Sequence, residues 1–219
     1  IAGTITTAVS KRAAGDIALE KLRGLGVAAG HPLSAELITV FNSAFLNARL
    51  FSDADAMKWS KLLTNLVGNP TSAILDMTPA QIFADRRLYK LEIQMLRECL
   101  AVMKAQNIPV VVLPGSPIRI WAFAMVLPLW LSRPLVSRAA SRGRGNKMPS
   151  FHIDLHSGRG KSEVDYLHGA VVRAGRQFGV PTPVNKMLTE TLLALTNKEI
   201  PLDTFAGNPE KLLLKSKVV

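Results

Sequence analysis

The sequence predicts a mainly α fold: a short α/β segment at residues 1–52, a helical domain at 53–200 and a polar tail at 201–219. Three observations predict it. Residues 1–52 hold short β-branched or alternating runs, "AGTITTAV", "DIALEKL" and "ARLF", around one helical pattern. From residue 53 onward the apolar residues recur at helical spacing behind plausible N-caps. Gly and Pro punctuate the helical stretches at intervals that suit separate helices rather than one long rod.

Composition narrows the class. The chain has 219 residues and 48% hydrophobic residues, enough for a sizeable core and too many for general disorder. Cys99 is the single cysteine, which excludes an internal disulfide and fits a reducing cytoplasm. It lies in a helical pattern and reads as a small buried hydrophobe. The first residue is Ile rather than Met, which points to a removed upstream segment, and no signal-peptide pattern is visible. The apolar run "IWAFAMVLPLWL" at 120–131 is too short for a spanning helix, which needs about 20 residues.

The formal charge of +11 is unevenly spread. No acidic residue occurs between Glu98 and Asp154, while Lys104, Arg119, Arg133, Arg138, Arg142, Arg144 and Lys147 do. The basic run "SRAASRGRGNK" has no aromatic residue on which a base could stack, so nucleic acid is not expected as a partner. Its neighbourhood to the Trp-containing run leaves one alternative of a different class, a non-enzymatic module on an acidic membrane surface. A solvated loop explains the same charges.

Within 1–52, "SAELITVFNSAFLNA" reads as a helix with Ser34 as N-cap and Glu36 in its first turn. The glycines of "GLGVAAG" at 24–30 do not match the GxGxxG spacing of a dinucleotide turn. "DADAMKWSKLLTNLVGNPTSAIL" is expected as one helix capped by Asp53 or Asp55. The stretch 78–107 is expected as one long helix, with Thr78 as cap, Pro79 in the first position and Asn107 as stop. A loop follows at 109–117, then helical pieces broken at Pro128 and Pro134, then a loop at 141–149. "SFHIDLH" opens another segment. "SEVDYLHGAVVRAGRQFG" reads as a helix capped by Ser162 and stopped by Gly179, and "VPTP" joins it to "VNKMLTETLLALTNK".

Two polar clusters could carry chemistry. Lys61, Asn65 and Asn69 are spaced by four, and at helical geometry they span about 80° of one face. Such a stripe is either solvated or the wall of a cleft, and spacing alone leaves both open. Glu163 and Asp165 fall in the first turn of a helix, where they complement the dipole or face an ammonium group. A lysine held by a carboxylate is equipped to protonate a developing alkoxide. His31, His152, His156 and His168 show no ligand pattern beyond His-x3-His in "HIDLH". Two ligands do not make a zinc site, and no metal is expected.

These motifs in order resemble the C-terminal half of ketopantoate reductases (2-dehydropantoate 2-reductases). "KWSKLLTNLVGNPTSAIL" is similar to that family's Lys-Leu-x-x-Asn-x-x-x-Asn-Pro helix. "KMPSFHIDLHSGRGKSEVDYLHGAVVRAGRQFGVPTPVNKML" resembles the later Pro-Ser-Met-x-x-Asp, Gly-Arg, Thr-Glu-Ile-Asp-Tyr-x-Asn-Gly and Gly-x-Pro-x-Pro-x-Asn motifs. Residues 1–52 are similar to the closing strands of the nucleotide domain. The resemblance implies a C-terminal helical bundle of the 6-phosphogluconate dehydrogenase-like type behind a short α/β remnant.

It also implies roles. Lys61 matches the general acid, Asn65 and Asn69 the amides that hold substrate, Ser150 the serine that binds its carboxylate, and Glu163 the carboxylate that binds substrate and pairs with the lysine. The implied parent enzyme reduces a small 2-oxo acid with NADPH in the cytoplasm, as a homodimer, in pantothenate and coenzyme A synthesis. This chain is expected to bind NADP(H) poorly and to be inactive alone. A related dehydrogenase for another 2-oxo or a 3-hydroxy acid is the nearest alternative. Departures from the pattern are the missing GxGxxG turn and mid-domain Asn-Gly, "GRGKSE" longer by one residue, His168 in place of Asn and Phe151 in place of Met.

Overall fold

The computed structural model describes residues 1–116, 118–133, 136, 148–158 and 160–216. The expected break at Pro134, the basic residues Arg138, Arg142, Arg144 and Lys147, the loop at 141–147 and Arg159 lie outside the described residues. The chain packs as two units, Ile1–Thr64 with Ile108–Ala122, and Asn65–Asn107 with Phe123–Val219.

In the first unit, strands Gly3–Ile5, Leu25–Ala28 and Ala48–Phe51 form one sheet with Leu25–Ala28 in the middle. The first pair is antiparallel and the second parallel, with Leu25 opposite Ala48 and Ala28 opposite Phe51. A parallel pair needs a crossover, and helix Ser34–Ser43 supplies it. Ser34 is anchored by its own Oγ, which donates to the Ala28 carbonyl at 2.7 Å. "AGTITTAV" is not one strand: its last two residues, Ala8 and Val9, open a second strand, Ala8–Ala13, which pairs with Asp16–Lys21 as an exposed hairpin turning at Gly15 (φ 79°). Ala28, Met57 and Leu113 form a small core, with Phe51, Ala54 and Val111 packed against it.

The second unit is helical. Helix Arg86–Ala105 is its axis, burying Leu88, Leu91, Met95, Leu96, Cys99 and Val102 among others. Helices Pro79–Ala84, Val164–Gln177, Pro183–Thr196 and Pro209–Ser216 all pack on it. The expected long helix from Thr78 is two. The Thr78–Gln81 capping box starts a short one, and Asp85 in extended conformation ends it. Asp85 then caps the next by accepting from the backbone N–H of Arg87 and Leu88 at 2.7 and 3.2 Å. Asn107 (φ 58°) closes it as expected.

Helices 164–177 and 183–196 are joined by a tight connection. Gly175 lies so close to it that a Cβ would sit 2.7 Å from the Val180 carbonyl oxygen. Glu163, rather than Ser162, occupies the N-cap, although Ser162 Oγ accepts from the Val164 N–H at 3.2 Å. The expected polar tail from 201 contains a 3-10 turn, Leu202–Thr204, and helix 209–216, which buries Leu212 and Leu213.

Candidate active site

Lys61 and Asn65 lie one turn apart on helix Ala54–Leu66, both half-buried. The stripe does not continue on that helix. Gly68 adopts φ 65°, which ends it, and Asn69 begins the next helix, Asn69–Leu75, with Pro70 in its first turn. A left-handed residue suits Gly, because a Cβ there meets the following carbonyl. Lys61 belongs to the first packing unit; Asn65, Asn69, Ser150 and Glu163 belong to the second.

Asn69 is 5% exposed and is held from both sides. Its Nδ2 donates to the Asn65 carbonyl at 3.2 Å and reaches Ser150 Oγ at 3.4 Å. Its Oδ1 accepts from the Phe151 backbone N–H at 3.1 Å. One carboxamide thus joins the first residues of helix 69–75 to those of helix Ser150–His156. Ser150 itself is exposed.

Glu163 is exposed as well, and its carbonyl accepts from the N–H groups of Tyr166 and Leu167. Its neighbour Asp165 is engaged on its own helix with Arg173 Nη1 at 2.8 Å. Of the two acids at this helix start, Glu163 is the more exposed. The structure therefore brings Asn65, Asn69 and Ser150 together and places Glu163 apart from their hydrogen bonds.

Two buried polar clusters, one around Glu92 and one around Glu98, were missed by sequence reasoning. Glu92, with no exposed surface, accepts from the Gly68 N–H at 2.8 Å and from Thr71 Oγ1 in a short bond. It thereby holds the turn between Asn65 and Asn69. Glu98 accepts from the backbone N–H of Val184 and Asn185 at 3.0 and 2.9 Å, and from Asn185 Nδ2 at 2.8 Å. Burial raises its pKa, against the lowering effect of those donors.

Asn185 Nδ2 also donates to the Met95 carbonyl, so its Oδ1 is the atom facing His168 Nδ1 at 3.0 Å. That assigns the proton of His168 to Nδ1. Burial lowers the His168 pKa to about 4, opposed by Asn185, so the ring is neutral at pH 7. Its ring packs edge-on against Phe151, centroids 6.3 Å apart. The network thus reaches from Glu98 to the residue beside Ser150. Glu92 and Glu98 sit at core positions of a helical pattern, the one signal in the sequence that could have marked them.

The His-x3-His pair acquires a third member that sequence reasoning did not connect to it. Asp76, His152 and His156 place one ligand atom each within 4.8 Å of the others. Separately, an open pocket of about 520 Å³ is lined by Leu155, Gly158, Leu195, Thr196, Ile200 and Leu202 among others. None of the five sequence-predicted site residues lines it. Among the described residues no helix is long and apolar enough to cross a membrane.

Residues 53–196 match the family model described as "Ketopantoate reductase PanE/ApbA C terminal". A 2-dehydropantoate 2-reductase of Streptococcus pyogenes serotype M6 is 28% identical over 166 residues, covering 76% of this chain and 47% of that protein. One of Pyrobaculum aerophilum is 28% identical over 174 residues, covering 80% and 55%. The chain spans about half the length of such relatives.

In fold it is similar to a PanE/ApbA family ketopantoate reductase from Ralstonia eutropha JMP134, with a TM-score of 0.71 and 21% identity over 90% of this chain and 59% of that one. It is also similar to a D-mandelate dehydrogenase solved with NADH and anilino(oxo)acetate, with a TM-score of 0.66 and 20% identity over 88% and 59%. The mainly α fold with a short α/β part agrees with these neighbours. With the family model covering most of its length, this chain belongs to the PanE/ApbA ketopantoate reductase family, of which it carries the C-terminal domain.

Proposed function

We propose that this chain is the substrate-binding and catalytic part of an NADPH-dependent 2-dehydropantoate 2-reductase, converting ketopantoate to pantoate. The observation that carries the reading is the meeting of Asn69 with Ser150 and Phe151, residues of two separate family motifs, at the starts of two helices. A carboxamide and a hydroxyl side by side, with backbone N–H groups of a helix start, suit a small polar acid.

In this reading Ser150 binds the substrate carboxylate and Asn65 and Asn69 hold its hydroxyl and carbonyl oxygens. Lys61 gives the proton to the oxygen of the reduced carbonyl, and Glu163 binds substrate and keeps the lysine charged. The nicotinamide nucleotide supplies the hydride, which no side chain can donate. The GxGxxG turn that cradles a dinucleotide pyrophosphate does not occur in this sequence, and we propose that this chain by itself binds the nucleotide poorly. We propose a homodimer, as one structural neighbour from Staphylococcus aureus is a dimeric ketopantoate reductase.

The D-mandelate dehydrogenase likeness favours a second reading, a reductase for another 2-oxo acid. A panel of 2-oxo acids with the full-length protein and NADPH or NADH separates them. Preference for 2-dehydropantoate with NADPH supports the first. Turnover of another 2-oxo acid at higher kcat/KM replaces it with the second.

A further inference from the structure

Asp76 stands at the end of helix 69–75 in left-handed conformation, φ 51°, with its side chain half exposed. Its Oδ1 lies 2.7 Å from His152 Nε2. His152 and His156, one turn apart on helix 150–156, stack with ring centroids 4.1 Å apart and planes at 25°. One ligand atom from each ring and one carboxylate oxygen of Asp76 all lie within 4.8 Å of one another.

We propose that Asp76, His152 and His156 form a binding site for a divalent d-block cation such as zinc. Two imidazoles one helical turn apart and one carboxylate are the donor set such ions take, with further positions left to water. Ligand atoms on a tetrahedral zinc lie roughly 3.3 Å from one another, so the three side chains must draw together and the stacked rings turn toward the ion. His152 and Asp76 share a hydrogen bond, and a bound ion takes the place of the proton between them.

The ion ties the end of helix 69–75 to helix 150–156. These are the two helices whose first residues, Asn69 and Ser150, also meet. The site is independent of the proposed reaction, and no step of carbonyl reduction is assigned to it.

Titration of the purified chain with Zn2+ against a chromophoric chelator, and with Co2+ followed by its visible absorption, tests this. One equivalent should bind with micromolar or tighter affinity. Asp76→Asn and His156→Gln should each weaken it about tenfold or more, while His31→Gln leaves it unchanged. Asn tolerates the left-handed backbone at 76 and His156 is exposed, so both variants should keep the wild-type circular dichroism. Wild-type affinity in both variants, or less than half an equivalent bound by the wild type, overturns the assignment.

Discussion

Asn69 Nδ2 and Ser150 Oγ, 81 positions apart in the chain, lie 3.4 Å from each other, while Asn69 Oδ1 accepts from the next backbone N–H, that of Phe151. The amide therefore has two duties: it presents a polar group beside Ser150, and it satisfies a buried donor. Asn69→Ala removes both. It should cost about 1–3 kcal/mol of stability, because the Phe151 N–H loses its acceptor. Among the described residues Asn65 contributes only its backbone carbonyl to this cluster, so Asn65→Ala should raise KM while leaving stability within about 0.5 kcal/mol of wild type. Chemical denaturation alongside kinetics of the full-length protein distinguishes the two variants.

Lys61→Ala in the full-length protein should lower kcat by roughly two to four powers of ten, the size of a positioned acid's contribution. NADPH affinity should hardly change. Glu163→Ala should weaken both substrate binding and turnover. A Lys61→Ala enzyme within about threefold of wild type would show a solvated stripe and remove the lysine from the mechanism.

Glu92 holds the turn on which Asn69 depends. Glu92→Ala leaves the Gly68 N–H and the Thr71 hydroxyl without an acceptor in a site that water does not reach, so about 2–5 kcal/mol should be lost. Glu92→Gln keeps one acceptor oxygen and should lose less. Urea unfolding of the two variants, with the Gln variant at least as destabilised as the Ala variant, would contradict this role.

His168 links burial to pH. Its folded pKa, about 4, lies below the value near 6.5 expected in the unfolded chain. The unfolded state therefore takes up the proton first as pH falls. Stability carried by the neutral ring is full above about pH 6.5 and is lost as pH drops toward 4, to the order of 3 kcal/mol. His168→Gln should flatten that part of the stability curve, read as the difference between wild type and variant between pH 7 and 4. An unchanged acid limb would mean that the ring takes up its proton in the folded state without penalty.

Much of this protein is legible along the chain. The Thr78 cap, Pro79, the stop at Asn107, the strand "ARLF" and the two helices joined by "VPTP" follow from local rules, because capping and turn geometry are settled within a few residues. The roles proposed for Lys61, Asn65, Asn69, Ser150 and Glu163 rest on the order of motifs rather than on any distance between them.

What the sequence could not decide is how residues far apart meet. Glu98 reaches Asn185 across 87 positions, His152 meets Asp76 across 76, and Glu92 closes on Gly68 across 24. Each of these pairings depends on how helices pack, which a one-dimensional pattern does not encode. The helical spacing of Lys61, Asn65 and Asn69 suggested one continuous face, yet a left-handed Gly68 held by a buried carboxylate divides it. Local periodicity determined which residues are polar; only tertiary packing decided that Asn69 turns inward to bind a second helix, since a buried amide goes where its donors and acceptors are satisfied.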